Sequence, residues 1–239
     1  MASIYLIRHA QASFGSDDYD RLSPLGIQQA RIAGEYLGTA IGPITRIIAG
    51  PLRRQRDTAT VIAAELHERR GARPRLETDP RLDELRIDEH IARIAPTLAD
   101  PSGEIAADLA AAKSSSRSYQ KVIRRVFTHW QRLSHESEPE TWPAFAARAR
   151  EVIADIAGGS ARGGITVAVS SGGLIAAITQ HVLGLPDSAA YGFFEAMKNC
   201  SITHFLHSRE RISLSSFNDT TYLAALGTGR GAMSLITYR

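Results

Sequence analysis

An α/β fold is the class this sequence predicts, and three observations predict it. Short apolar runs rich in strand-forming residues alternate with longer stretches whose apolar residues recur at helical spacing, from Ile4 to about Phe217. No internal repeat and no linker-like break interrupts that alternation, so the chain is expected to form one unit. With 239 residues, 44% hydrophobic and 22% charged, it is long enough for one sizeable core.

The first strand, Ile4-Tyr5-Leu6-Ile7, ends abruptly in Arg8 and His9. A buried strand thus delivers two polar side chains to one end of a sheet, where α/β proteins keep their chemistry. An arginine fork matches the oxygen geometry of a phosphate, and a neutral imidazole beside it can attack phosphorus. Gln11 and Ser13, just beyond the pair, are candidates to touch phosphate or substrate. A polar loop over 14–23 follows. Ser23 before Pro24 then predicts a helix start, with a capping hydroxyl and a proline where its missing N–H costs nothing. That helix runs to about Leu37 and places Ile27, Ala30, Ala33 and Leu37 on one face.

A second buried strand, 44–49, leads into Gly50-Pro51-Leu52-Arg53-Arg54-Gln55-Arg56-Asp57-Thr58-Ala59. A helix over 57–69, stopped by Gly71, and a strand over 75–78 precede Leu82-Asp83-Glu84-Leu85. Taken alone, Glu84 is one acid among Asp79, Asp83, Asp88 and Glu89. From about 85 to 143, alanine-rich helical stretches (91–95, 104–113 and 119–133) are separated by proline, glycine and serine breaks. A helix over 143–157 carries Phe145, Ala149, Val152, Ile153 and Ile156 on its apolar face. The strand 165–170 runs into Ser171-Gly172-Gly173, where a further helix begins with N–H groups able to face an anion. Strands to about Leu206 and over 211–217 complete the sheet, and the glycine-rich tail past Gly227 is expected to be mobile.

Several function classes are disfavoured. The net charge of +3 and pI near 9.2 come from scattered arginines, so nucleic-acid binding is not indicated and a small anionic substrate fits. Cys200 is the only cysteine, which excludes an internal disulfide or a cysteine-based zinc cluster and agrees with a reducing compartment. No Gly-Lys-Ser or Gly-Lys-Thr supports a nucleotide loop, and no His-x-x-x-His pair argues for zinc. No apolar run reaches the ~20 residues of a membrane span, and the expected location is the cytoplasm.

Three segments resemble the histidine phosphatase superfamily, the phosphoglycerate mutase-like proteins: Arg8-His9 at a strand end, Leu52 and Arg54 followed by Thr58-Ala59, and the Gly172-Gly173 turn. The resemblance implies a three-layer α/β/α fold with a mostly parallel sheet over 1–239, bearing a substrate-selecting helical cap at about 85–143. It implies that His9 is the nucleophile and Glu84 the proton donor. Arg8 and Arg54, with Ser171 and Gly172, would surround the phosphate. It further implies hydrolysis of a small phosphomonoester through phosphohistidine, with no metal and no cofactor.

Three positions depart from the family's usual pattern. Ala10 and Gly50 stand where glycine and serine are usual, and Ser171 stands where a second histidine is usual. A serine hydroxyl donates one hydrogen bond but brings no positive charge. If the imidazole were cationic, the missing stabilisation would be on the order of 2–4 kcal/mol, which slows chemistry without abolishing it. Leu85-Arg86-Ile87-Asp88-Glu89-His90 lacks the Arg-His-Tyr-Gly pattern of mutases and favours hydrolysis. The rival readings are a phosphate-ligand binder without catalysis and a mutase-type phosphotransferase.

Overall fold

The computed structural model describes residues 1–13, 18–112, 115–133, 140–208, 210–227 and 235–238. Its strands are β1 (Ala2–Arg8), β2 (Ile44–Ala49), β3 (Arg75–Thr78), β4 (Ile165–Ser170), β5 (Ile202–His207) and β6 (Ile212–Asp219). They form one sheet in the order β3-β2-β4-β1-β5-β6, in which only β5 runs against the others. The register levels the carboxyl ends of four parallel strands, since Arg8 lies opposite Ser170, Ala49 opposite Val169, and Thr78 opposite Ala49. Each strand therefore releases its next residues along the same sheet edge.

Side chains that alternate along the strands bury both faces. Ile4, Leu6, Ile48 and Ala168 join one core, whereas Ile7, Ile47, Val167 and Val169 join the other. On the second face lie α1 (Pro24–Ala40) and α2 (Arg53–Arg70); on the first lie α6 (Trp142–Gly158) and α7 (Gly172–Val182). The result is a three-layer α/β/α fold. Between the 3-10 turn Pro80–Leu82 and α6, the short helices α3 (Ile87–Ile94), α4 (Glu104–Ala111) and α5 (Ser116–Trp130) pack on one another. They dock through aromatic edges: Trp130 meets Trp142 with centroids 5.4 Å apart, and Phe127 stacks on Phe194 at 5.7 Å. No described helix is long and apolar enough to cross a membrane.

Several expectations hold. Ser23 caps α1 by accepting from the Gly26 N–H at 3.0 Å, and the five apolar residues assigned to α6 are buried. Others need correction. Ile27 is exposed, because α1 buries the face made by Gln29, Ala30, Ala33 and Leu37. The helix expected from Asp57 begins four residues earlier, at Arg53. Its cap comes from a distant part of the chain, where Asp20 Oδ2 accepts from the Arg53 N–H at 2.7 Å. Two short helices, α8 (Ala190–Ala196) and α9 (Thr221–Gly227), were not anticipated.

The tail expected to be mobile falls largely on 228–234, outside the described residues, but 235–238 is packed: Leu235 is buried and Asn199 N–H donates to Thr237 O at 2.8 Å.

Gly26 lets α1 lie against the segment that follows His9. A Cβ there would stand 2.1 Å from the Gln11 carbonyl oxygen, with backbone on both sides of the contact. Gly26→Ala is expected to lower stability by about 1–3 kcal/mol, read from the urea midpoint. An unchanged midpoint would contradict this packing.

Candidate active site

His9 is held by backbone on every side. Its N–H donates to Ser170 O at 2.8 Å, its carbonyl accepts from Cys200 N–H at 3.2 Å, and the next N–H, of Ala10, donates to Thr58 Oγ1 at 3.0 Å. The imidazole is 4% exposed. Nδ1 lies 2.8 Å from Ala10 O, an acceptor only, so Nδ1 carries the proton. Nε2 is then a lone pair, and it accepts from Arg54 Nε–H at 3.1 Å. Burial, then the neighbouring Arg54 and Arg8 guanidinium groups, hold His9 well below the usual histidine value of 6.5. It is a neutral imidazole whose Nε2 lone pair is held by the Arg54 Nε–H.

Arg54 enters from the first turn of α2. Its Nη1 donates to Asp20 Oδ1 at 2.7 Å, and its guanidinium carbon sits 5.5 Å from the centroid of the Tyr19 ring. Asp20 therefore both caps α2 and aims Arg54. Arg8, at the end of β1, donates through Nη1 to Met197 O and, at 3.1 Å, to Tyr238 O, while its buried Nε has no partner among the described residues. Burial lowers Arg8 from the ordinary arginine value. The guanidinium group stays charged, since arginine titrates far above neutrality.

Glu84 follows the 3-10 turn that β3 releases at the same edge. Arg148 fixes that turn by donating to Arg81 O at 2.7 Å and to Asp83 O at 3.0 Å, while a bidentate pair with Glu140 holds Arg148 itself. Ser170 Oγ and Gln55 Nε2 both donate to Leu82 O. The Glu84 carboxyl accepts from Gly173 N–H at 3.0 Å, at the start of α7, and from its neighbour Leu85 N–H at 2.8 Å. Burial nevertheless raises Glu84 above the ordinary carboxyl value of 4.5, against the opposing pull of Arg54, the Leu85 N–H and Arg8.

Arg8, His9, Arg54 and Glu84 line one cavity of about 800 Å³. Four other expected site residues do not line it. Ser171 is fully buried and its Oγ accepts from Gln55 Nε2 at 2.8 Å. Gly172 lies beneath Arg8, where a Cβ would come 3.7 Å from Arg8 Nε. Gln11 turns toward α1, its Oε1 accepting from Ser23 Oγ, and Ser13 pairs its N–H with Arg21 O. The Gly173 N–H, expected to face an anion, is taken by Glu84.

Residues missed in the sequence are Asp20, Tyr19, Gln55 and Tyr238. Gln55 is fully buried and joins Leu52 N–H, Leu82 O and Ser171 Oγ. A Cβ on Gly50 would stand 2.1 Å from Gln55 Oε1, so the glycine and the glutamine occupy one space. Gly50 was a visible signal of that crowding. Tyr238 sends its carbonyl to Arg8 and lines the cavity from the far end of the chain, which no local pattern could show.

The family comparison agrees with the motifs. The histidine phosphatase superfamily (branch 1) profile matches residues 4–142 and 110–220. Among solved structures, a mycobacterial glucosyl-3-phosphoglycerate phosphatase is 26% identical, with a TM-score of 0.59 over 91% of this chain and 99% of that one. A phosphoserine phosphatase from Entamoeba histolytica, 19% identical, gives a TM-score of 0.62 over 93% and 100% of the two chains, and shares the fold. A phosphoglycerate mutase from Bacillus anthracis, also 19% identical, has the same fold at 0.60 over 93% and 95%. No protein of curated function matches the sequence. With strand-end Arg8 and His9, the Arg54 turn and a family profile that spans most of its length, the chain belongs to the histidine phosphatase superfamily.

Proposed function

We propose that this protein hydrolyses a small phosphomonoester through a phosphohistidine on His9. The observation that carries the reading is the state of His9: neutral, its Nδ1 proton committed to Ala10 O, its Nε2 lone pair beside Arg54. An entering phosphate takes over the Arg54 and Arg8 N–H groups and so releases Nε2. Nε2 then forms a bond to phosphorus as the ester P–O bond breaks, with the equatorial oxygens facing the two guanidinium groups. Glu84 gives its proton to the departing alkoxide. In the second step Glu84, now a carboxylate, takes a proton from water as that water attacks phosphorus. The N–P bond breaks, phosphate leaves, and both residues return to their starting states. No step calls for a metal, because the charge is met by arginine.

Ser171 favours a second reading, a protein that binds phosphorylated ligands without turning them over. Incubation with p-nitrophenyl phosphate separates the two. Turnover that falls to background in His9→Ala, with acid-labile label on the wild-type histidine, supports the enzyme. Tight phosphate binding with neither turnover nor label supports the binder. Phosphate moving between hydroxyls without release to water would instead identify a mutase.

Three further outcomes are expected. Glu84→Gln should lower kcat for an alkyl phosphate by about 10²–10⁴-fold, and for p-nitrophenyl phosphate much less, since nitrophenolate leaves without a proton. Equal losses on both substrates would remove Glu84 from the acid role.

The pH profile of kcat/KM should follow the two displaced groups. His9 lies below 6.5, so the nucleophile stays unprotonated on the acid side; Glu84 lies above 4.5, so the acid form persists upward before ionising. Activity is expected to fall on the alkaline side, and Glu84→Gln should abolish that limb alone.

Ser171→His should lower stability by about 1–3 kcal/mol without raising turnover, because the ring must displace the buried Gln55 amide. A faster single variant would show that an imidazole reaches the phosphate with Gln55 in place.

A further inference from the structure

The cavity has two chemically different ends. Arg8, His9, Arg54 and Glu84 occupy one of them. The remaining volume is far more than a phosphate group fills: about 800 Å³ in all lies near the top of the range of roughly 300–1,000 Å³ that takes drug-sized ligands. Its wall is apolar. Ile87 and Ile91 come from α3, Leu109 from α4, Ile123 from α5 and Phe194 from α8. These side chains belong to, or pack against, the same core that seats the cap helices, so the wall is built into the fold.

Apart from Arg86, the charges around that wall are negative. Asp83, Asp88, Glu89 and Glu195 line it. Beyond Arg8 and Arg54, the cationic side chain among the described lining residues is Arg86, and it faces Glu89 at 3.4 Å. Asp88 accepts from Tyr119 Oη–H at 2.7 Å and lines the cavity from α3. A leaving group bearing a carboxylate or a second phosphate would enter among four carboxylates with no free described cation to meet it. An uncharged apolar alcohol gains contact throughout.

We infer that the substrates are monophosphates of apolar, uncharged alcohols, seated with the phosphate on Arg8 and Arg54 and the hydrocarbon against Ile87, Ile91, Leu109, Ile123 and Phe194. This rests on the phosphatase reading above and narrows it. It separates this protein from relatives whose structures hold 3-phosphoglycerate or phosphoserine, both of which carry a carboxylate.

A series of n-alkyl phosphates from ethyl to hexyl tests the inference, because the leaving groups differ in length and hardly in basicity. Phosphate release by the full-length protein is expected to show kcat/KM rising about two- to fourfold per methylene. 3-Phosphoglycerate and phosphoserine should fall below hexyl phosphate by a factor of about 100 or more. In Ile91→Lys, which places a cation in the wall, the ratio between hexyl phosphate and 3-phosphoglycerate should shrink; a ratio within one variant is unaffected by the fraction folded. A flat series, or preference for 3-phosphoglycerate over hexyl phosphate, with phosphate still released, overturns the inference and leaves the hydrolase standing. No release from any of these or from p-nitrophenyl phosphate overturns the hydrolase reading, and this inference with it.

Discussion

A buried imidazole between two guanidinium groups does not take up a second proton, and the rest of the site follows from that constraint. Burial and two like charges keep His9 neutral, and a neutral imidazole has a single N–H to place. Ala10 O takes it. The lone pair is then fixed on the other nitrogen, provided the backbone of residues 9 and 10 does not move. Ser170 O, the Cys200 N–H and Thr58 Oγ1 supply that rigidity from three elements. The parallel register with β4 and the antiparallel pairing with β5 bring these groups to the end of β1, so the sheet acts as the alignment device for one proton.

The same removal from water acts in opposite senses on two groups in one cavity. It lowers a base, His9, and raises an acid, Glu84. In both cases burial disfavours the charged form, which means the proton is held less readily by the imidazole and more readily by the carboxyl. Glu84 sits on a loop, and its support explains why a loop suffices. Arg148, Ser170 and Gln55 all donate to carbonyls of the turn before it, and the Gly173 N–H in the first turn of α7 grips its carboxyl. Cap and acid are linked as well, because the partner of Arg148 is Glu140, just before α6.

What could be read from the sequence was whatever local patterning controls. Short apolar runs foretold the buried strands, Ser23-Pro24 foretold the start of α1, and Arg8 and His9 declared themselves by ending one such run. Arg54 and Glu84 were reached through motif resemblance, since neither spacing nor burial singles them out among neighbouring charges. The start of α2 was misplaced because its cap is tertiary: Asp20 lies 33 residues away. For the same reason Tyr238, reaching Arg8 across 230 residues, and the Gln55 amide with three partners gave no local signal. Ile27 misled because helical spacing permits two neighbouring faces, and packing of α1 against α2 and the tail chose the one bearing Gln29.

Gly50, Gln55 and Ser171 share one volume, which couples the three positions energetically. A serine at position 50 meets the Gln55 amide oxygen, while a ring at 171 meets the amide nitrogen. A side chain at position 50 also meets the Leu82 carbonyl oxygen, 2.6 Å from a Cβ there, and replacing Gln55 leaves that oxygen with Ser170 Oγ as its one remaining side-chain donor among the described residues. A single substitution at any of the three is thus expected to cost stability that a compensating change at another restores. The three positions therefore behave as one unit: the tolerance of each to substitution is set by the residues at the other two.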